Sequence, residues 1–190
     1  MFDAIVVGSG ISGGWVAKEL CERGLKVLML ERGPEVRHGE DYSHEAAATL
    51  RRSEDQIPLA EREKHYPYHV GVSYALFESN KAFWASDHDH PYETAPGKPY
   101  RWIRGYQLGG RSLTWGRQSY RWAPQDFESN LKDGHGVDWP IRYDDLAPWY
   151  DHVEAFAGIS GDYDGLCQLP DGDFLPPWPM NAVEEVVKAN

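Results

Sequence analysis

"FDAIVVGSGISGGWVAKELCERGLKVLMLERG", Phe2 to Gly33, decides the fold, because it reads as strand, turn, helix, turn and strand in a single pass. Ala4 to Val7 is short, apolar and β-branched, the pattern of a strand buried on both faces of a parallel sheet. Gly8, Gly10 and Gly13 follow as G-x-G-x-x-G, with Gly14 next. Val16, Ala17, Leu20 and Cys21 recur along one helical face, and Gly24 is placed to end that helix as its C′ residue. "KVLMLE" then returns as a second buried strand with Glu31 at its tip, eighteen residues after Gly13. Gly8 permits the tight turn, Gly10 lets backbone approach a pyrophosphate, and Gly13 lets helix and strand pack closely. The helix N-terminus turns unpaired N–H groups and a positive dipole end toward a diphosphate. Glu31 is placed to accept hydrogen bonds from ribose hydroxyls and to repel a 2′-phosphate, which argues against NADP. The expected fold class is therefore α/β, with a Rossmann-like dinucleotide-binding βαβ unit; the fingerprint alone does not separate FAD from NAD.

The bulk numbers narrow the rest. A formal charge of −11 over 190 residues argues against nucleic acid, whose binding needs clustered Lys and Arg. Mean hydropathy is −0.62, and no apolar run approaches the ~18 residues of a membrane span. "FDAIVVG" carries no basic and apolar regions of signal type, so a cytoplasmic site is the default expectation. Cys21 and Cys167 fit neither a disulfide framework nor a metal knuckle, and Cys21 is expected to be a small core residue. Eight Trp, eleven Tyr and thirteen Pro point to irregular, aromatic-lined segments that line cavities or cover interfaces.

From Arg37 to Pro99 periodicity is poor, and an irregular, aromatic- and Pro-rich excursion from the sheet is expected. "SHEAAATLRRSEDQ" and "LAEREKHY" are helix-prone, and "YPYHVGVSYALF" alternates loosely enough for a strand or two. "SDHDHPYE" sets His88 and His90 beside Asp87 and Asp89. With no further ligand cluster nearby in sequence, and Pro91 enforcing a loop, it reads as a solvated acidic turn and no metal is expected. "RWIRGYQLGGRSLTWGRQSYRW" is richer: Gly109 and Gly110 let backbone pass very close to something large and flat, with Ser112 and Thr114 as hydroxyl donors. In "DWPIRYDDLAPWYDHVEAFAGISG", Asp144 is the expected N-cap of a helix carrying Leu146, Tyr150, Val153 and Ala157 on one face.

These segments together resemble the N-terminal part of a glucose–methanol–choline type flavoprotein oxidoreductase. The matches are "GSGISGG", the "ERG" of Glu31 to Gly33, and "GGRSLTWG" from Gly109 to Gly116. The "WPIRYDDLAPWYDHVEAFAGISG" stretch is similar to that of the sugar-oxidising, pyranose-oxidase-like and gluconate-dehydrogenase-like branch. The resemblance implies FAD rather than free NAD. It places the ADP half against Gly8, Gly10, Ile11, Ser12, Gly13, Glu31 and Arg32, and the flavin ring beside Gly109, Gly110, Arg111, Ser112, Thr114, Trp115 and Gly116. Some relatives tether FAD covalently through a His in this segment; Thr114 stands at the corresponding position, which implies non-covalent FAD. Trp115 stands where other branches carry Asn, favouring the sugar-oxidising branch, whereas Trp122 reads as ordinary aromatic packing.

Oxidation of an alcohol by hydride transfer to a flavin needs a base for the hydroxyl proton. The resemblance assigns that work to a His near a far C-terminus, and "NAVEEVVKAN" matches no such motif. His135, between glycines in "KDGHGVDWP", is the most pocket-like of the eight His but reads as a solvated loop residue, so no catalytic residue is assigned. The expected organisation is a βαβ opening at 1–36, an excursion at 37–100, a flavin-contacting segment and helix at 101–161, and the start of a next part at 162–190. A companion chain or further sequence is expected to complete the fold, a sugar or alcohol is the expected substrate, and strand edges are expected to be left open without that companion. The competing readings are a non-catalytic dinucleotide-binding module and an NAD-dependent dehydrogenase.

Overall fold

The computed structural model describes residues 1–42, 55–69 and 75–189 and divides the chain into two compact units, Met1–Gly116 and Arg117–Asn190. The border between them falls inside the stretch 101–161.

In the first unit, β1 (Ala4–Val7) and β2 (Val27–Leu30) pair in parallel, with Ala4 opposite Val27 and Val7 opposite Leu30. The helix α1 (Ile11–Glu22) joins them. It ends as the sequence predicts: Gly24 takes φ +82°, and its N–H donates to the Cys21 carbonyl at 2.9 Å. A Cβ on Gly13 would stand 1.9 Å from the Gly8 carbonyl oxygen, so the third glycine of the fingerprint is required by close helix–strand packing.

Two expectations are corrected here. The strands are not buried on both faces: Val6 is buried, but Ile5, Val7 and Leu30 are exposed. The described sheet has two strands, and strand faces are buried only where other layers cover them. Cys21 is exposed rather than part of a core, and α1 contains no buried residue, for the same reason.

The excursion has its own small core, in which Ile57, Tyr66 and Leu76 are buried with Trp84 packed against them. "LAEREKHY" forms α2 (Leu59–His65), as expected. A 3-10 helix, Glu78–Phe83, follows; Asp55 accepts from the Ser79 N–H at 2.9 Å and its hydroxyl at 2.5 Å, and so caps it. Most of the helix expected in "SHEAAATLRRSEDQ" lies at 43–54, outside the described residues. The strands expected in "YPYHVGVSYALF" fall partly on 70–74, also outside them; the flanking described residues are not strand.

The turn at 86–90 is not simply solvated. Asp87 is buried and accepts from the Arg104 guanidinium at 3.2 Å, which also donates to the His90 carbonyl at 2.5 Å and the Tyr106 hydroxyl at 3.1 Å. Tyr92 and Trp102 face the same guanidinium at 4.7 and 5.1 Å from their ring centres. Ser86 and Asp87 are buried, whereas His88, Asp89 and His90 are exposed. Arg104 lies seventeen residues beyond Asp87, so their pairing leaves no local sequence pattern.

In the second unit, α3 (Pro124–Asp133) opens with Pro at its first position, and Asp126 reaches back to accept from the Ala123 N–H at 2.7 Å. The long helix α4 (Tyr143–Ala157) begins two residues earlier than an Asp144 cap requires. Arg142 holds the extended N-cap conformation, and Asp145, at the third helical position, accepts from the Arg142 N–H at 2.8 Å. Leu146, Tyr150 and Val153 share the half-buried face as predicted, while Ala157 is exposed. Trp122 packs against Phe127 and Trp139 with ring centres 6.0 and 5.5 Å apart, the ordinary aromatic packing expected of it. The helix α5 (Ala182–Ala189) completes the unit. Among the described residues, no helix is long and apolar enough to cross a membrane.

Candidate functional site

The site grows from the turn between β1 and α1. Gly8 takes φ +92° and donates its N–H to the Leu30 carbonyl at 2.7 Å, so the turn is fastened to the tip of β2 as the chain leaves β1. Gly10 is the N-cap of α1, and no side chain caps the helix. The first N–H groups of a helix have no partner within it. The dipole end and those N–H groups therefore stand free to meet an anion. Ile11 and Ser12 occupy this first turn and are exposed.

Glu31 organises the loop beneath. Its Oε2 accepts from the Ser9 N–H at 2.8 Å and the Ser9 hydroxyl at 2.5 Å, and its Oε1 accepts from the N–H groups of Arg32 at 2.8 Å and Gly33 at 2.9 Å. Four donors match the roughly four lone-pair sites of a carboxylate. Led by the Ser9 hydroxyl and then the Gly33 N–H, they hold the Glu31 carboxyl at about 2, below its ordinary 4.5. A depressed carboxylate contributes stability above its ordinary value and loses it as pH falls through the folded value. Acidification from pH 5 toward 2 is therefore expected to loosen the loop. Glu31→Gln, which lacks the charge, is expected to be less stable at pH 7 and to show a flatter acid dependence, read from thermal melts across that range.

The second glycine segment seats directly on this turn. The Gly109 N–H donates to the Ser9 hydroxyl oxygen at 2.8 Å, across a hundred residues of sequence. Gly109 and Gly110 take φ +85° and +54°, and a Cβ on Gly110 would lie 3.4 Å from the Gly10 Cα. The backbone that the glycine pair approaches is thus the fingerprint loop. Ser112 is likewise turned inward: its hydroxyl donates to the Gly109 carbonyl at 2.6 Å within the 3-10 helix Gly110–Leu113. Gln107 is buried and donates to the Gly110 carbonyl at 2.9 Å, fixing the pair from behind.

The remaining predicted residues flank this junction. The Arg32 guanidinium stacks 3.7 Å from the centre of the Tyr106 ring, and Arg111 donates to the Ile103 carbonyl at 2.7 Å. Thr114, Trp115 and Gly116 lie exposed at and beyond the end of the 3-10 helix. His135 is exposed, in keeping with its reading as a solvated loop residue.

Two residues escaped the sequence reading. Ser9 bridges Glu31 to Gly109; its only sequence signal is a small hydroxyl residue between the first two fingerprint glycines. Gln107 carries no signal at all.

The sequence profile of the family described as FAD dependent oxidoreductase (DAO) matches residues 3–157. The chain is 27% identical to the fructose dehydrogenase large subunit of Gluconobacter japonicus over 95% of its own length and 31% of that protein. It is 30% identical to paromamine 6'-oxidase of Streptomyces fradiae over 98% of its length and 28% of that protein. The gluconate 2-dehydrogenase flavoprotein of Pantoea cypripedii is 30% identical over 84% of this chain and 25% of its own. The chain thus spans less than a third of the length of these curated relatives.

Proposed function

Because the chain belongs to the FAD dependent oxidoreductase family matched over residues 3–157, we propose that it is the FAD-holding portion of a glucose–methanol–choline type enzyme that oxidises CH–OH groups of a sugar or related alcohol. FAD is the cofactor of the family. The observation that carries the reading is the Ser9 junction, where a second glycine segment is hydrogen-bonded to the fingerprint turn. Such a junction sets a diphosphate-binding helix end and a glycine-lined backbone side by side, as one extended cofactor requires.

The residues fit the group. Gly8, Gly10, Ile11, Ser12 and Gly13 present the uncapped start of α1 to the diphosphate. Glu31, its carboxylate held by Ser9 and by the N–H groups of Arg32 and Gly33, keeps a negative charge at the tip of β2 where the ribose would lie and exchanges one of these donors for a ribose hydroxyl on binding, with Arg32 beside it. Gly109, Gly110, Arg111, Ser112, Thr114, Trp115 and Gly116 form the border of the flavin. With Thr114 at the tether position, FAD is held without a covalent bond. When bound, FAD supplies the two-electron acceptor for the alcohol carbon. The base for the hydroxyl proton comes from sequence beyond these residues, which the short span relative to the curated relatives supports.

The sugar and aminoglycoside names among those relatives favour a polyhydroxylated substrate. The test is purification of the full-length protein with FAD, acid precipitation to separate bound from covalent flavin, and anaerobic addition of aldoses, ketoses, gluconate and simple alcohols. Release of flavin by acid and bleaching by one of these alcohols are expected. A protein that retains NAD in preference to FAD, or whose flavin no alcohol bleaches, would overturn the reading.

A further inference from the structure

The pairing of His88 with Asp89 lacked, in sequence, a third ligand, and the tertiary structure supplies one. His65, the last residue of α2, is carried to the 86–89 turn by the packing of Tyr66 in the small core and by the hydrogen bond between the Asp87 N–H and the His65 carbonyl at 2.7 Å. Both imidazoles converge on one carboxylate: His88 Nδ1 lies 2.9 Å from Asp89 Oδ1, and His65 Nδ1 lies 3.3 Å from Asp89 Oδ2. The two rings are centred 5.1 Å apart, and one ligand atom from each of the three residues lies within 4.8 Å of the others.

We propose that His65, His88 and Asp89 form a binding site for a divalent transition-metal ion, zinc being the best fit, with solvent completing the coordination. A tetrahedral zinc ion bonded at about 2.0–2.1 Å separates its ligand atoms by about 3.4 Å. The two contacts to Asp89 already meet that value or fall below it, each at a different carboxylate oxygen, and with one ligand atom from each residue the atoms lie within 4.8 Å and need close by no more than about 1.4 Å. His88 and Asp89 sit on an exposed turn and are free to make that adjustment. Two imidazole nitrogens and one carboxylate oxygen select zinc, cobalt or nickel over magnesium and calcium, which prefer all-oxygen shells. The neighbouring Asp87 does not compete for the ion, because Arg104 holds its carboxylate inside. Ser86 accepts from the Asp89 N–H at 3.2 Å and so orients the turn that carries the carboxylate, and its hydroxyl, 2.9 Å from His65 Nδ1, gives up that contact when the nitrogen binds the ion.

The ion fastens the end of α2 to the turn that precedes Arg104 and, beyond it, the Gly105–Gly110 segment. The site shares no residue with the Ser9 junction, and its role is to hold the excursion in place, independently of the flavin reading.

The test is zinc titration of the full chain after dialysis against a chelator, by calorimetry at pH 7.5, with magnesium as a competitor. One equivalent of zinc is expected to bind and to raise the melting temperature, with magnesium in large excess leaving it in place. His65→Ala, His88→Ala and Asp89→Asn are each expected to weaken binding at least tenfold, whereas His135→Ala, on an exposed loop, leaves it unchanged. His88 and Asp89 lie on the surface, so their variants fold and keep the test decisive even where His65→Ala does not. Absence of zinc binding by the unaltered chain, or affinities of His88→Ala and Asp89→Asn within twofold of it, would overturn the proposal. So would a folded His65→Ala that binds zinc as the unaltered chain does, since both imidazoles are required.

Discussion

Gly33→Ala is expected to abolish FAD retention and to unfold the first unit at temperatures the unaltered protein survives. A Cβ at Gly33 would stand 2.0 Å from the Tyr106 carbonyl oxygen, 2.3 Å from its carbon and 2.7 Å from the Gln107 Cα. All three are backbone atoms, so no side-chain rotation relieves the clash, and the tip of β2 must part from the 106–107 backbone by more than an ångström. That movement pulls apart the Leu108 N–H from the Pro34 carbonyl, 2.8 Å away, and the Gly109 N–H from the Ser9 hydroxyl, also 2.8 Å. Overpacking costs about 1–3 kcal/mol and each broken hydrogen bond about 1 kcal/mol, so a loss on the order of 3–5 kcal/mol is expected. Thermal melts and flavin content after gel filtration read both effects. The control is Gly14→Ala, whose Cβ meets nothing within 4 Å and whose helical position favours Ala by up to about 1 kcal/mol. A Gly33→Ala protein as stable and as yellow as the Gly14→Ala protein would show that the close approach is not what holds the two segments together.

Arg121→Ala is expected to cost the second unit about 3–5 kcal/mol, the range for removing one partner of a buried ion pair. Arg121 is buried and grips α4 at three points. Its Nε donates to Glu154 Oε1 at 2.9 Å, and its Nη2 donates to Glu154 Oε2 and Asp151 Oδ1, each at 2.5 Å. Its Nη1 reaches the Tyr143 hydroxyl at 3.3 Å. The Glu154 carboxylate, first among these partners, raises the guanidinium well above its ordinary pKa. Without Arg121, Glu154 remains buried with only the Asp173 N–H, at 3.1 Å, among the bonds that now satisfy it. Lys cannot reproduce the two-pronged contact, so Arg121→Lys is expected to fall between the two. Replacing both partners by apolar residues, as Arg121→Met with Glu154→Leu, removes the stranded charge and is expected to recover much of the loss. Urea unfolding of the three variants and the unaltered protein separates these cases; a loss under about 1 kcal/mol for Arg121→Ala would mean that water reaches Glu154 and the pair is effectively a surface one.

The parts that were legible in sequence are those governed by neighbours in the chain. The strand–turn–helix–strand order over 4–30, the left-handed Gly24 after α1, the α2 segment at 59–65 and the packing face of α4 all follow from short-range sterics and periodicity. The N-cap of α4 was misplaced by two residues because Arg142, which has no capping carboxylate of its own, takes the extended conformation while Asp145 accepts its N–H from the third helical position. Cys21 and the strand faces were misjudged for a different reason: the sequence pattern shows what an element prefers to bury, while burial depends on what is packed over it. Similarly, "SDHDHPYE" read as one solvated turn, although Arg104 draws Asp87 inside and leaves His88 and Asp89 at the surface.

The amino-acid sequence by itself determined the βαβ opening, the uncapped helix start after the fingerprint glycines and the acidic tip of β2. These depend on glycine conformations and residue alternation within about thirty positions. Only the tertiary structure decided that Gly33 has no room for a side chain while Gly14 has, that Ser9 ties Glu31 to Gly109, and that His65 meets His88 and Asp89. Each is a contact between segments twenty or more residues apart, and no local periodicity records which distant backbone will arrive within a few ångströms.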